Sequence, residues 1–592
     1  MLKIFQQFLL HPPYHMVFIS LISLVLYLSI ISFFRFVYPK RKIPYPILLL
    51  GFSLLPIISI FREGTYESSD INIHIVRTMA FYKSLAEGVL IPRWAGELNA
   101  TYGYPLFNYY YPLPYYISSF YHFLGFNFLD SVKILLITTY LSSGLAMFYW
   151  LKNKVTEKYA FLGSVFYLFA PYHLVDMHFR AAVGEMTAFV FLPLSFFFID
   201  KIIEKGSFLW IYLTGISIAL LILSHPAIAL VGFFGIISYC ILLLSTSRKN
   251  IILKVLAGIL TGLLFSAFYW LPANLEAKYV YQQIGELVLK YQSLSELLYS
   301  KWRQGLLFQG PMGEQSYLLG YSHWIVIFLS FYLIFIKRNK DKFLIFFSII
   351  TTILIFLTLD IGKFVWNYLP ILKKMLITSR LLVIIAFTSS AVAAFTAKSI
   401  KKEKLFYFLI IIAIGSTILN WGNRKNIQDK KDQQIVYSMT AKDEGAYNAI
   451  PVTRPLDMLW LDPVPKTHIE AINGKLDILS ETRTTIKHRY TVNTESDGLV
   501  KENTYYFPGW KLKINGKETD IIFDNKNFPG IIVFNTRAGI NQIDLTFEDT
   551  SIRKYSVFIS LLSLLISGLF LFLNSFKRIF TFWQQRQAGS HI

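Results

Sequence analysis

The stretch "LISLVLYLSIIS", residues 21–32, contains no charged side chain, and neither does "FFSIITTILIFL", residues 346–357. Runs of this kind recur from one end of the 592-residue chain to the other, and 54% of the residues are hydrophobic while only 16% are charged. A helix of about 20 apolar residues can cross a bilayer, and a soluble domain would carry more charge. The sequence therefore predicts an α-helical protein that crosses a membrane many times.

The basic residues between these runs predict the topology. Connectors such as "RFVYPKRK", "LKNKVTEK" and "AKSIKKEK" place Lys or Arg close to the ends of apolar runs. The positive-inside rule assigns these connectors to the cytoplasm, so the N-terminus lies outside and the C-terminus inside. An odd number of spans fits this arrangement. We predict about thirteen spans, with the bounds 15–37, 45–62, 129–151, 158–172, 184–203, 208–224, 226–246, 252–270, 323–337, 342–358, 380–398, 404–420 and 553–575.

The formal net charge of +21 comes largely from the same connectors. In a soluble chain such an excess of positive charge would suggest binding to nucleic acid. Beside apolar runs it instead indicates which ends of the helices face the cytoplasm, and contact with anionic membrane lipids. We therefore expect membrane lipids and no nucleic acid among the partners. The single cysteine, Cys240, excludes a disulfide framework and a cysteine-based metal site.

The predicted outer side receives the long segments. The membrane domain, residues 1–420, includes an outer loop at 63–128, where we expect juxtamembrane helices. Residues 421–552 are polar, and runs such as "WKLKING" and "IIVFNT" alternate between apolar and polar residues with turn signals between them. This pattern predicts a small extracytoplasmic antiparallel β-sandwich. Residues 553–592 then form the last transmembrane helix and a cytoplasmic tail.

Charged residues interrupt the apolar pattern at "SSDINIHIVRTMAFYKSLAEGVLIPRW", residues 68–94. The spacing predicts a helix that starts near Asp70, ends near Gly88 and lies in the membrane interface. Asp70, His74 and Arg77 are four and three residues apart, so they project from one stripe. Together they could deprotonate a hydroxyl and hold a phosphate. The alternative is that Asp70 caps the helix while His74 and Arg77 contact lipid headgroups.

Aromatic residues dominate the next stretch, "RWAGELNATYGYPLFNYYYPLPYYISSFYHFLG", residues 93–125. One interpretation is an aromatic belt at the bilayer surface. The other is a wall that stacks sugar rings or lines a lipid tunnel, for which the candidates are Trp94, Tyr104, Tyr109 and Tyr110.

A short outer turn, "PYHLVDMHFRAAVGE" at residues 171–185, adds another polar group. It is either a solvated turn or a second wall that orients the acceptor opposite the Asp70 helix. Farther along the chain, His225 in "SHP" is either an interfacial histidine with satisfied hydrogen bonds or a site residue. The candidates for this second wall are Asp176, His178, Glu185 and His225.

The order of these features resembles the GT-C superfamily of integral-membrane glycosyltransferases. More narrowly, the series "D-x-x-x-H-x-x-R" from Asp70, "G-x-x-x-P-R-W" ending at Trp94 and "GYPLFNYYYPLPYY" at 103–116 looks like the prokaryotic membrane family labelled 6-pyruvoyl-tetrahydropterin synthase-related and like YfhO-type proteins. Further matching motifs are "RAAVGEMTAFVFLPL" at 180–194 and "YYFPGWKLKINGK" at 505–517. The pterin label describes no chemistry visible here, since no His₃ zinc pattern is present.

The resemblance implies a glycosyltransferase at the outer face of a prokaryotic cytoplasmic membrane. Such enzymes move a sugar from a polyprenyl-phosphate carrier to a cell-envelope acceptor, which is a lipid, polymer or protein. It implies that Asp70 is the general base of an inverting displacement, with His74 beside it. Many loops of this superfamily carry two acids, whereas "SSD" has one. Whether Asp70 and Asp176 bind a divalent cation, Mg²⁺ or Mn²⁺, is therefore left open by the resemblance. The leaving phosphate needs cations, for which the candidates are Arg77, Arg93, Arg180 and Arg380.

Two other functions remain open at this point. One is a flippase or transporter for polyprenyl-linked glycolipids, and the other is a non-catalytic subunit for envelope assembly. A transporter needs polar residues at the middle of the membrane, whereas an enzyme concentrates charge at one outer mouth. The central parts of most runs offer only serine and threonine as small polar side chains, which favours the enzyme.

Overall fold

A computed structural model provides the coordinates of the chain. It describes all residues except 1–11, 67, 245–248, 282–290, 299–316, 370–376, 419–420, 422–426, 429–448, 456–457, 459–461, 463 and 590–592. The predicted span 404–420 and the predicted domain 421–552 therefore lie partly outside the described residues.

The structure is mainly helical. The helices are α1 Pro12–Val37, α2 Tyr45–Ile57, α3 Ile71–Ala86, α4 Leu106–Tyr109, α5 Leu113–Phe123, α6 Phe128–Lys152, α7 Glu157–Leu168, α8 Pro171–Val175, α9 Val183–Lys205, α10 Phe208–Ser224, α11 Pro226–Leu244, α12 Lys249–Phe265, α13 Ala267–Leu275, α14 Leu294–Leu298, α15 Tyr321–Phe331, α16 Lys342–Thr358, α17 Lys363–Tyr368, α18 Leu381–Ile400, α19 Glu403–Gly415 and α20 Ser551–Gly589.

Several of these helices are long and apolar enough to cross a membrane. In the described part of the chain six single helices meet that condition, at Phe18–Val37, Phe128–Lys152, Val183–Lys205, Pro226–Leu243, Thr378–Ile400 and Ser551–Asn574. Two further pairs are bent, by 47° between α7 and the segment Pro171–Arg180 and by 66° between α12 and α13. Shorter apolar helices cover Tyr45–Phe61, Phe208–Ser224, Tyr321–Ile336 and Lys342–Thr358. The protein is thus a multi-span membrane protein, while the count of thirteen spans and the orientation stay predictions.

Helix α3 begins after Asp70 and ends before Gly88, close to the bounds that the sequence predicts. Its place in the membrane interface stays a prediction. No residue from 71 to 85 is classed as exposed, and polar side chains of α3 face partners on α5: the Thr78 hydroxyl lies 3.1 Å from that of Ser118. Other parts of the protein therefore cover much of α3, while the Lys83 side chain stays 42% exposed.

The C-terminal region is a β-sheet region, as the alternation predicts. Five strands pair in the order β4-β5-β10-β7-β8, and three pair in the order β3-β6-β9. Inward side chains from both sheets, such as Val492, Val500 and Leu545, belong to one hydrophobic core. Trp510 belongs to the same core and is 3% exposed. The strands are β1 Thr65–Tyr66, β2 Ile427–Gln428, β3 Ile469–Ala471, β4 Leu476–Arg483, β5 Lys487–Thr494, β6 Gly498–Tyr505, β7 Trp510–Ile514, β8 Lys517–Thr519, β9 Ile531–Thr536 and β10 Gly539–Phe547.

Candidate active site

The main chain joins the Asp70 loop to the turn after α8. The backbone N–H groups of Ser69 and Asp70 donate to the carbonyls of Phe179 and Arg180, at 3.0 and 3.1 Å. The structure therefore brings these two acidic segments together, in the arrangement that the second-wall interpretation of the turn expects. The contact depends on a single π-helical turn, Asp176–Arg180, which extends α8 and ends at Ala181 in the left-handed conformation with φ 54°. Such turns frequently mark functional sites.

Asp70 occupies the N-cap position of α3, but its side chain accepts no hydrogen bond from the helix. The Ser68 hydroxyl accepts from the Ile71 N–H instead, at 3.2 Å. Within the described part of the chain we find no hydrogen bond to the Asp70 carboxylate, which is partly buried. Burial raises the pKa of Asp70, and the nearby Arg180 and Arg77 oppose that rise only in part. A carboxyl group in this state can take up a proton closer to neutral pH than a solvated aspartate can.

Arg180 is the centre of a buried hydrogen-bond network. Its Nη1 donates to Asp176 Oδ1 at 2.6 Å and to the Tyr172 hydroxyl at 2.7 Å, and its Nη2 donates to Glu185 Oε1 at 2.9 Å. Tyr172 in turn donates to Glu185 Oε2 at 2.9 Å. Arg380, which precedes α18, places Nε 3.4 Å from the same Glu185 Oε1. Four predicted site residues thus lie in one cluster with Asp70.

His74 and Arg77 lie on the buried side of α3. The His74 Nδ1 is 2.9 Å from the Tyr115 hydroxyl, and the Arg77 guanidinium lies 4.4 Å from the ring centre of Tyr110. Burial, and then the charges of Arg77 and Arg180, hold the pKa of His74 well below its usual value. His74 is therefore neutral at physiological pH, and its assignment as a catalytic residue stays a prediction.

The two remaining histidines of the predicted second wall are buried. His178 belongs to the π-helical turn and is 1% exposed. His225 packs its ring 5.2 Å from that of Tyr111, and its Nδ1 accepts from the Ile228 N–H at 3.3 Å. This bond caps the start of α11, and the charges of Arg380, Glu185 and Arg180 also act on the ring, so His225 both caps a helix and lies near the Arg180 network.

Arg93 lies in a different cluster from Asp70. Its guanidinium donates to Asp549 Oδ1 at 3.1 Å, to Asn108 Oδ1 at 2.9 Å and to the Phe268 carbonyl at 3.2 Å. All three contacts hold neighbouring protein segments, so the geometry gives no support to Arg93 as a phosphate ligand. Sequence alone could not separate it from Arg180, since its carboxylate partner is 456 residues away.

Three of the four residues predicted for the aromatic wall also lie away from the Asp70 cluster. Trp94 and Tyr104 are 1% and 0% exposed, and Trp94 packs edge-on against Trp510 at 5.4 Å between ring centres. Tyr109 donates to the Glu276 carbonyl at 2.8 Å. Only Tyr110, beneath Arg77, lies beside the Asp70 cluster.

The acids of the cluster that the structure describes do not fit a divalent cation. Among the described residues, no group of three or more His, Cys, Asp or Glu side chains is arranged to hold a metal ion. Asp176 and Glu185, the acids that could join Asp70 as ligands, both bind the Arg180 guanidinium. A cation placed among them would compete with that buried positive charge.

Two tyrosines complete the cluster and were missed in the sequence. Tyr172 joins Arg180 to Glu185, and Tyr115 lies against His74. Both stand inside stretches rich in aromatic residues, where one tyrosine cannot be told from the next. Only the contacts with Arg180 and His74 distinguish them.

Comparison with known proteins gives a family and a set of distant structural likenesses. A family model described as a 6-pyruvoyl-tetrahydropterin synthase related domain of membrane proteins matches residues 107–426. A Lactococcus lactis subsp. cremoris protein described as uncharacterized is 22% identical over 353 residues, which are 56% of this chain and 55% of the relative. The match therefore spans just over half of that relative's length.

Among solved structures, the arabinofuranosyltransferase AftD from Mycobacteria superposes with a TM-score of 0.44 at 13% identity, over 65% of this chain and 27% of that one. The Archaeoglobus fulgidus oligosaccharyltransferase AglB, in complex with an inhibitory peptide and a dolichol-phosphate, gives a TM-score of 0.41 at 11% identity, over 69% and 61% of the two chains.

Proposed function

The chain belongs to the membrane-protein family described as 6-pyruvoyl-tetrahydropterin synthase related, and we propose that it is a glycosyltransferase with a polyprenyl-phosphate-linked donor. The acceptor is a hydroxyl group of a cell-envelope lipid, polymer or protein on the outer face of a prokaryotic cytoplasmic membrane. The proposed orientation has the N-terminus outside and the C-terminus inside, since the basic connectors then face the cytoplasm.

One observation carries this proposal: the Asp70 carboxylate is not used to cap its helix. Ser68 provides the cap, while burial raises the pKa of Asp70 and arginines surround it. A carboxylate that is buried at a cost, without a structural hydrogen bond in the described part of the chain, is the expected state of a general base.

The proposed reaction is an inverting displacement at C1 of the sugar. The acceptor oxygen forms a bond to C1 while the bond from C1 to the carrier's phosphate oxygen breaks, and that bond's electron pair leaves with the phosphate. Asp70 takes the proton from the acceptor hydroxyl. Arg77, Arg180 and Arg380 are the cations of this cluster that can stabilise the phosphate as its charge grows.

The direct test replaces Asp70 by Asn in the full chain, reconstituted in liposomes with a radiolabelled polyprenyl-phosphate sugar. Loss of the base should lower turnover by about 10²–10⁴-fold while donor binding persists, because Asn is nearly isosteric with Asp. Ser68→Ala is the matched control: it removes the observed cap, so it should lower stability by about 1 kcal/mol and leave turnover unchanged.

A fully active Asp70→Asn protein would refute the proposal. The flippase and the non-catalytic assembly subunit would then be the remaining functions. They differ in whether the reconstituted protein moves a fluorescent glycolipid across the bilayer.

A further inference from the structure

The carbonyl groups at the end of the π-helical turn are bonded by the loop that leads to Asp70. Carbonyls at the end of a helix have no partner inside it, so other groups must satisfy them. The Arg180 carbonyl accepts from the Asp70 N–H at 3.1 Å, and the Met177 carbonyl accepts from the Tyr66 hydroxyl at 2.7 Å. The loop is therefore attached to the turn by a main-chain bond at Asp70 and by a side-chain bond at Tyr66.

The surroundings of Tyr66 suit a residue that holds structure in place. Its main chain lies in β1 and pairs with Ile427 of β2 in an antiparallel register. The residue is only 7% exposed, and burial raises the pKa of its hydroxyl. The hydroxyl therefore stays protonated at physiological pH, so it can donate to the Met177 carbonyl but cannot act as a base.

A second side chain holds the start of the same loop. Lys133, on α6, donates from Nζ to the carbonyls of Arg62 and Gly64 at 2.6 and 3.2 Å. Both of these carbonyls precede Tyr66 in the chain and lie farther from Asp70 in sequence. Lys133 bonds only to the loop, whereas Tyr66 bonds to the π-helical turn itself. Of the two side chains, Tyr66 is thus the one that joins the loop to the turn.

The position of the Asp70 carboxylate depends on this attachment. In the part of the chain that the structure describes, no hydrogen bond holds the carboxylate itself, and Ser68 provides the cap of α3. The main chain of the loop therefore determines where the carboxylate lies. A general base must come within about 2.6–3.2 Å of the proton that it removes, and a misplacement of about 1 Å can cost about 10²-fold in rate.

We propose that Tyr66 is a positioning residue for Asp70. Its bond to the Met177 carbonyl holds the loop against the π-helical turn and so keeps the Asp70 carboxylate beside the Arg180 network. This inference rests on the proposed function, because it takes Asp70 as the general base of the transfer reaction.

The kinetic test compares two Tyr→Phe substitutions in the full chain, assayed in liposomes with the radiolabelled polyprenyl-phosphate sugar. Tyr66→Phe removes the bond to Met177, so we expect kcat to fall by about ten- to a hundredfold while KM changes by less than about twofold. Tyr27→Phe is the matched control, because the Tyr27 hydroxyl donates to the Leu48 carbonyl at 3.0 Å between α1 and α2. It should leave kcat unchanged.

A rescue variant shows whether the hydrogen bond or the ring is responsible. Replacing Tyr66 by 4-aminophenylalanine keeps an N–H donor at the position of the hydroxyl, so kcat should stay within about threefold of the wild type. This variant also tests the inference if Tyr66→Phe does not fold. A rescue variant as slow as Tyr66→Phe would overturn the inference, because the donated bond would then not be the cause.

A double variant separates positioning of Asp70 from a general structural role. If Tyr66 acts through Asp70, adding Tyr66→Phe to Asp70→Asn should lower the residual turnover by less than about twofold. An equal loss from Tyr66→Phe in both backgrounds would contradict the inference, since the bond would then support turnover without Asp70.

Hydrogen exchange measured by mass spectrometry gives a result that does not depend on activity. In Tyr66→Phe the amides of Ser69 and Asp70 should exchange at least about tenfold faster than in the wild type, because their bonds to the turn open more often. Tyr27→Phe should leave them unchanged. Unchanged exchange in Tyr66→Phe would show that Tyr66 does not hold the loop.

These results distinguish the inference from the proposed function. A wild-type protein that transfers no sugar would refute the proposed function, and hydrogen exchange would still decide whether Tyr66 holds the loop. If the wild type is active, Asp70→Asn is inactive and Tyr66→Phe is fully active, the inference about Tyr66 fails while the proposed function stands.

Discussion

Replacing Arg553 by Met should destabilise the protein by about 3–5 kcal/mol. Arg553 is fully buried, and its Nε donates to Glu276 Oε2 at 2.8 Å, while its Nη2 donates to the Pro508 carbonyl at 3.0 Å. Met fills similar volume and keeps apolar contact with the ring of Phe507, from which the guanidinium lies 5.0 Å. The loss of stability therefore comes mainly from removing the positive charge, which leaves the 1%-exposed Glu276 without its ionic partner.

A double variant defines how much of this cost belongs to the charge left behind. Glu276→Gln/Arg553→Met removes both charges, so we expect it to be more stable than Arg553→Met alone by about 1–3 kcal/mol, because no buried charge remains unpaired. The assay is equilibrium unfolding of the full chain in mixed micelles, followed by tryptophan fluorescence. Trp94 and Trp510 both pack against Phe547, whose ring lies 5.0 Å from the Arg553 guanidinium, so they report on this region. A loss below about 1 kcal/mol for Arg553→Met, or a double variant less stable than the single one, would refute this reasoning.

Two further predictions concern topology and pH. Reporters fused at Lys40, Asn250 and Ile400 should be cytoplasmic, whereas fusions at Leu90 and at 480 should be external; a cytoplasmic Asp70 loop would contradict the proposed chemistry. Because burial raises the pKa of Asp70, the protonated form stabilises the fold at low pH and ionisation costs stability as the pH rises through that pKa. Asp70→Asn should therefore raise the melting temperature at about pH 8 and change it little at about pH 4. If the substitution changes the melting temperature equally at both pH values, the assignment of a raised pKa to Asp70 is contradicted.

Helices and strands were predicted well from the sequence, because they depend on patterns among residues that are close together in the chain. Apolar runs gave the helices, the alternation in "IIVFNT" gave strand β9, and the spacing from Asp70 to Gly88 gave helix α3. Helix hydrogen bonds and strand alternation act over a few residues, so the sequence carries them directly.

The contacts between distant segments could not be predicted in the same way. The pairing of Asp70 with the turn at Arg180 was expected only because both segments fell on one side of the membrane and carried charge. The structure gives no support to Arg93 as a phosphate ligand, because Arg93 pairs with Asp549 in another cluster. Likewise, one interpretation of the sequence made Asp70 the cap of α3, whereas the side chain that caps it belongs to Ser68. Such choices depend on three-dimensional packing that composition does not reveal.

The pairing of Arg93 with Asp549 and of Glu276 with Arg553 also bears on how the chain is made. The partners are separated by 456 and 277 residues, so a ribosome completes most of the chain before either pair can form. During that time Arg93 and Glu276 have no ionic partner at the sites that they occupy in the finished protein. Chains that end before Asp549 would keep both charges unpaired, and the cell's membrane proteases and chaperones would have a simple physical means of telling an unfinished chain from a complete one.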